Sequence, residues 1–170
     1  RNQSSVVKFN KESSALEWII SAPDNWVLPF SNALLTPLNF GGEVEEWNFA
    51  QHDARLLPNG NIIMLDNGNY RSFNSDADAE TYSRGIEFKI NEPDMTIEQV
   101  WKHNFNKELF APTLGTASFD KTSNSILLSV ADSRGFTRVT EISYGNEYKT
   151  LFEMDIEGER VYRVERFKLN

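Results

Sequence analysis

One hairpin pattern recurs along this chain, and a recurring hairpin restricts the fold more tightly than any single motif does. The segment RNQSSVVKFNKESSALEWII, from Arg1 to Ile20, resembles SRGIEFKINEPDMTIEQVWKH, from Ser83 to His103. Each copy carries an arginine, an alternating strand ending in an apolar residue and asparagine (Phe9-Asn10, Ile90-Asn91), a polar turn, and a strand closed by Trp18 or Trp101. SRGFTRVTEISYGNEYKTLFEM, from Ser133 to Met154, is a more degenerate third copy. Two related hairpins, ARLLPNGNIIMLDNG and ASFDKTSNSILLSVADSRG, lie between them. Alternating hairpins of this kind make four-stranded units of about fifty residues, the size of a β-propeller blade.

Period-2 alternation predicts strands over 5–10, 16–21, 54–57, 61–66, 85–91, 96–103, 115–120, 125–131, 137–143, 148–156 and 162–169. No segment keeps a helical period. The expected class is all-β: a β-propeller, with residues 1–40 a partial blade, 41–104 a blade and 105–170 the last blade. Propellers close with roughly four to eight blades, so two and a half to three are expected to be the C-terminal part of a longer polypeptide, or to close by homo-oligomer formation. Arg1 in place of an initiator methionine fits a processed chain or an excised segment. A ten-stranded β-sandwich is the rival architecture, since it would be complete at 170 residues.

Composition narrows the function. The formal net charge of −8, from scattered acidic residues, argues against nucleic acid and anionic membranes as partners. The absence of cysteine excludes disulfides, a thiol nucleophile and thiolate zinc sites. No G-x-S-x-G, P-loop or dinucleotide fingerprint occurs. The run Asn74, Asp76, Asp78, Glu80 lacks the central glycine and distal glutamate of an EF-hand and reads as an acidic loop, so no metal and no cofactor is expected.

Pro58-Asn59-Gly60 sits between two strand-like runs and supplies the positive φ of a tight hairpin. Asp66-Asn67-Gly68 has similar chemistry, with Asp66 expected to cap the turn. His52, one of two histidines, stands at the head of a strand in Gln-His-Asp, where a propeller strand enters from the central channel. Two roles fit it: a residue hydrogen-bonded near a turn, or a nucleophile, general acid or electrophile. Arg71 offers a planar fork of donors to an anion. His103, at the end of a strand, is expected to be exposed. Trp18, Trp47 and Trp101 read as packing residues, although a channel-facing Trp47 would stack on an aromatic ligand. Trp47 and Asn67 are the candidate substrate-binding residues.

WNFAQHDARLLPNGNIIMLDNGNYR, then YSRGIEFKINEPDMTIEQVWKH, then ELFAP and a closing VYRVERFKL together resemble the bacterial arylsulfate sulfotransferase family, in motif order and over most of the chain. The resemblance implies a six-bladed propeller in a periplasmic, cell-surface or secreted protein. It also implies transfer of a sulfuryl group from an aryl sulfate donor to a phenolic acceptor through a sulfohistidine, with no nucleotide sulfate donor. His52 then matches an active-site histidine and Arg71 the sulfate-binding arginine. Lys107, shortly before ELFAP, stands where the family carries the histidine that becomes sulfated, with His103 nearby; a further family histidine would lie upstream of Arg1. The lysine there motivates a second expectation, a non-catalytic propeller that binds without turnover. A sulfatase-like hydrolase using water as acceptor is a third.

Overall fold

The structure, a computed structural model, describes residues 3–40, 46–71, 81–145 and 147–167. Eleven strands follow in chain order: β1 (Val6–Phe9), β2 (Leu16–Ile20), β3 (Thr36–Pro37), β4 (His52–Leu56), β5 (Ile62–Asp66), β6 (Arg84–Asn91), β7 (Thr96–His103), β8 (Thr116–Asp120), β9 (Ser125–Ala131), β10 (Phe136–Ser143) and β11 (Thr150–Glu157). Among the described residues only short 3-10 turns interrupt them, and there is no α-helix. Three sheets result, ordered β1-β2, β3-β7-β6-β5-β4 and β11-β10-β9-β8. All neighbours pair antiparallel except β3, which lies parallel to β7.

The turns repeat as the strands do. A positive-φ residue precedes the second strand of four hairpins: Ser14, Gly60, Met95 and Asn124. Between β4 and β5 the Gly60 N–H donates to the Leu57 carbonyl at 2.9 Å and the Leu57 N–H to Asn61 at 2.8 Å. That is a three-residue loop whose one left-handed position, φ +87°, falls on the glycine.

β5 explains how the sheets stack. Its side chains alternate between two faces, and all five residues are buried. Ile62 and Met64 meet Trp18, Ile20, Phe40, Trp47, Ile86 and Phe88 in a core between the first and second sheets. Ile63 and Leu65 meet Trp101, Ala117, Ile126, Leu128 and Ile142 in a core between the second and third. Each large apolar side chain so buried contributes about 1.5–3 kcal/mol, which is why an uninterrupted apolar run survives in this short strand. Of the four tryptophans, Trp18, Trp47 and Trp101 are buried and Trp26 is half-buried.

Three features depart from the sequence expectations. β4 begins at His52 instead of Ala54, because a bulge between His52 and Arg55, with Asp53 at φ +55°, extends the pairing toward its head. β3, unforeseen at two residues, adds an edge to the second sheet from within 1–40, and its proline is tolerated there. The expected strand 162–169 is not one over its described part, 162–167. That segment is held by side chains instead of a ladder: the Val161 N–H donates to Thr137 Oγ1 at 2.8 Å and the Val164 N–H to Thr116 Oγ1 at 3.2 Å. The run Asn74, Asp76, Asp78, Glu80 lies outside the described residues.

Candidate functional site

β4 and β6 start, and β5 and β7 end, at one edge of the second sheet, so His52, Asn67, Arg71, His103 and Lys107 all fall at the same end of the molecule. Register separates them further. His52 pairs with Leu65, Leu65 with Gly85, and Gly85 with His103, a single row across four strands. Residues in such a row point to one face. Three strand spacings put the two histidine backbones roughly 14 Å apart, so the fold does not bring His103 beside His52. His103 is half-buried instead of exposed, stacked on Trp101 and edge-on to Phe105 at 4.6 Å. Burial pushes its imidazole below the usual value near 6.5, partly opposed by the Glu153 carboxylate.

The half-buried His52 ring has a partner at each nitrogen, close at Nδ1 and long at Nε2. Nδ1 lies 2.6 Å from Asn67 Oδ1, and the Leu114 N–H is directed at Nε2 at 3.4 Å. Asn67 is fully buried, and its Nδ2 donates to the carbonyls of Ala111 at 2.8 Å and Leu114 at 2.9 Å. The 111–115 segment reaches the ring because Gly115, at φ +107°, lets it pass close to β5 and β9. A Cβ there would come within 2.2 Å of Leu65 Cδ2 and 2.6 Å of the Ser129 carbonyl oxygen.

Behind the 66–68 turn lies a buried charge cluster. Asp66 caps the turn as expected, Oδ1 accepting the N–H groups of Phe49 at 2.7 Å and Gly68 at 3.1 Å. Its Oδ2 also accepts from Arg71 Nη1 at 2.9 Å and Arg84 Nε at 2.8 Å. Arg71 is 4% exposed; its Nη2 donates to the Tyr82 carbonyl, and its guanidinium carbon sits 4.4 Å from the Tyr82 ring centroid. Lys107 Nζ reaches the same ring at 5.2 Å, so Tyr82 lies against both cations. Lys107 closes a left-handed turn, with φ of 51°, 54° and 63° at Phe105, Asn106 and Lys107. Such backbone costs about 1–2 kcal/mol per residue, and the buried Phe105 anchors it in the second core. Trp47 packs edge-on to Phe40 at 4.7 Å inside the first core, and its carbonyl accepts from Arg84.

Sequence reasoning passed over Ser83 and Arg84. Ser83 Oγ donates to the Asn67 carbonyl and accepts the Ala111 N–H, each at 2.9 Å, tying the turn to the 111–115 segment. A signal for them existed in the repeat. Asp66 with Ser83-Arg84-Gly85 recurs as Asp132 with Ser133-Arg134-Gly135. Asp132 likewise accepts from Arg134 Nε at 2.7 Å and from the Phe110 N–H at 3.0 Å, as Asp66 accepts from Phe49. Burial opposes ionisation of Asp132, but these donors hold its carboxyl below the ordinary range.

No group of three or more histidine, aspartate or glutamate side chains among the described residues is arranged to hold a metal ion. No described helix is long and apolar enough to cross a membrane.

Known proteins resemble this chain over most of its length. An arylsulfate sulfotransferase of Escherichia coli O6:H1 is 25% identical over 137 residues, which span 71% of this chain and 23% of that protein. The arylsulfate sulfotransferase of Lelliottia amnigena is 24% identical with the same coverage. The chain therefore spans about a quarter of the length of these curated relatives. The profile of the arylsulfotransferase (ASST) family matches residues 1–163. By that match over nearly its whole length, this chain belongs to the arylsulfotransferase family.

Proposed function

We propose that this chain is part of an aryl sulfate sulfotransferase in which His52 meets the sulfuryl group. The observation that carries the reading is the His52 ring itself, held at one nitrogen by the buried Asn67 and faced at the other by a backbone N–H. An imidazole presenting a lone pair can take up a sulfuryl group or a phenolic proton, and a nearby N–H stabilises charge developing on the sulfuryl oxygens. In the transfer the S–O bond to the donor phenol breaks and its phenolate leaves. A new S–O bond forms to the acceptor phenol, whose proton passes to a base. Arg71 and Lys107 supply positive charge at the same end of the sheet, Arg71 from behind the 66–68 turn. His103 stands apart from His52 and has no part in this reading.

The β4–β7 and β8–β11 meanders are proposed as two blades of a six-bladed propeller and β1–β2 as half of another, in a protein that works in the periplasm, at the cell surface or outside the cell. Apolar cores on both faces of β5 and the repeated Asp and Ser-Arg-Gly anchor support that arrangement. With 4-nitrophenyl sulfate and phenol, the full-length protein is expected to release nitrophenol, and His52→Ala to abolish release. A His52→Ala enzyme with undiminished turnover overturns the assignment.

Lys107 favours a second reading, a propeller that binds aryl sulfates without turning them over. Saturable binding of 4-nitrophenyl sulfate by the full-length protein with no nitrophenol released, with or without phenol, would select it. Release that persists when phenol is omitted would mark a hydrolase instead.

A further inference from the structure

We infer that Asn67 is a positioning residue: it holds His52 in the tautomer protonated on Nδ1 and so makes Nε2 the atom presented to the substrate. Two observations on the Asn67 amide fix its direction. Its Nδ2 sits between the Ala111 and Leu114 carbonyl oxygens, at 2.8 and 2.9 Å, and a flipped amide would set Oδ1 against both. Oδ1, an acceptor only, is therefore what faces His52 Nδ1 at 2.6 Å, and Nδ1 must bring the proton.

The opposite side of the ring agrees independently. The Leu114 N–H is directed at Nε2, and a donor there is compatible with a lone pair and incompatible with a second N–H. The contact is long, 3.4 Å, so the Leu114 N–H is held loosely enough for an incoming group to displace it, while the Nδ1 contact is short and made to the fully buried Asn67. In neutral imidazole, whichever nitrogen is protonated is set by the hydrogen bond its neighbour makes. The structure meets that condition with one side chain, itself locked by two carbonyls and by Ser83 on its backbone. Asn67 thus touches the ring and not the reacting atoms. Its catalytic consequence rests on the sulfuryl-transfer reading, whereas the tautomer does not.

In nitrogen-15 spectra of the labelled full-length protein above neutral pH, with a His52→Gln variant identifying its signals by their loss, His52 is expected to show a protonated Nδ1 and a bare Nε2. In Asn67→Ala the His52 population is expected to move toward the Nε2–H form. Ser83→Ala, which loosens the same segment without touching the ring, is expected to keep the wild-type pattern. A wild-type ring protonated on Nε2, or an Asn67→Ala ring with an unchanged tautomer, overturns the inference. The wild-type spectrum alone decides the tautomer, so a poorly folding variant does not remove the test. In the full-length protein, Asn67→Ala should lower kcat for 4-nitrophenyl sulfate by about 10- to 100-fold with KM little changed, the usual cost of losing a ligand-orienting partner. A moved tautomer with undiminished kcat overturns the positioning role. A wild type that shows the tautomer but no turnover refutes the sulfuryl reading and leaves the assignment of Nδ1–H standing.

Discussion

Gly60 and Gly68 both adopt left-handed backbone, φ +87° and +79°, yet they carry different constraints. A Cβ on Gly60 meets nothing within 4 Å, so Gly60→Ala is expected to cost only the conformational penalty, about 1 kcal/mol. A Cβ on Gly68 would lie 2.1 Å from the Tyr82 carbonyl oxygen and 2.4 Å from Arg71 Nη2. Gly68→Ala should therefore cost more than about 2 kcal/mol, read as the shift in urea midpoint between the two variants, and should disturb Asn67 next to it. His103 makes the stability depend on pH. Burial depresses its folded-state pKa, so in the unfolded chain it takes up a proton first, near pH 6.5. The stabilising contribution is complete above that value and is lost as pH falls from there toward the folded pKa. Urea unfolding at pH 7.5 and 5.5 should show a smaller loss in His103→Gln than in the wild type, and equal losses would refute the assignment.

At the scale of elements, the Asp and Ser-Arg-Gly anchor is one device placed in two environments. Arg84 is 1% exposed and joins Arg71 on the fully buried Asp66, while Arg134 holds Asp132 from the surface with a 59% exposed side chain. Removing Arg84 leaves Asp66 to Arg71 alone and takes the donor from the Trp47 carbonyl, and each buried group left short of a partner costs about 1–3 kcal/mol. An exposed arginine contributes about 1 kcal/mol or less. Arg84→Met is accordingly expected to lower the thermal midpoint far more than Arg134→Met, and equal shifts would contradict the burial argument. The same comparison shows what was legible. The recurrence of Ser-Arg-Gly stood in the sequence, but the partner aspartates lie 18 residues before Arg84 and two before Arg134. Only the folded sheet shows that these unequal spacings make one contact.

The whole molecule hangs on a strand shared by two cores. Met64 belongs to the core with Trp18 and Trp47, and Leu65 to the core with Trp101. Truncation of either, Met64→Ala or Leu65→Ala, is expected to cost about 2–5 kcal/mol. Since both cores are built on β5, loss of one removes support from the other. Tryptophan fluorescence of a Trp26→Phe/Trp101→Phe protein, reporting the first core, and of a Trp18→Phe/Trp26→Phe/Trp47→Phe protein, reporting the second, should therefore follow a single transition in each truncated background. Separate transitions for the two reporters would show that the sheets unfold independently.

Strand positions were legible because alternation of apolar and polar residues is a local property: β7 and β9 match their expected bounds, and most others lie within two residues of theirs. The segment 162–167 misled because its apolar Tyr162 and Phe167 stay exposed, and no local pattern distinguishes backbone N–H groups that bond to threonine hydroxyls, as those of Val161 and Val164 do, from groups in a ladder. His52 and Asn67 stood out as residues at a strand head and in a turn. Their contact across fifteen positions, and the segment at Ala111 and Leu114 that locks it, exist only once β5 returns beside β4 and β8 packs on both. The sequence by itself determined the strands, the repeat and the chemistry available at the head of β4. The tertiary structure alone decided that Asn67 and not His103 stands beside that histidine, because hydrogen-bond register sets which side chains meet across strands, and register is a property of the whole sheet.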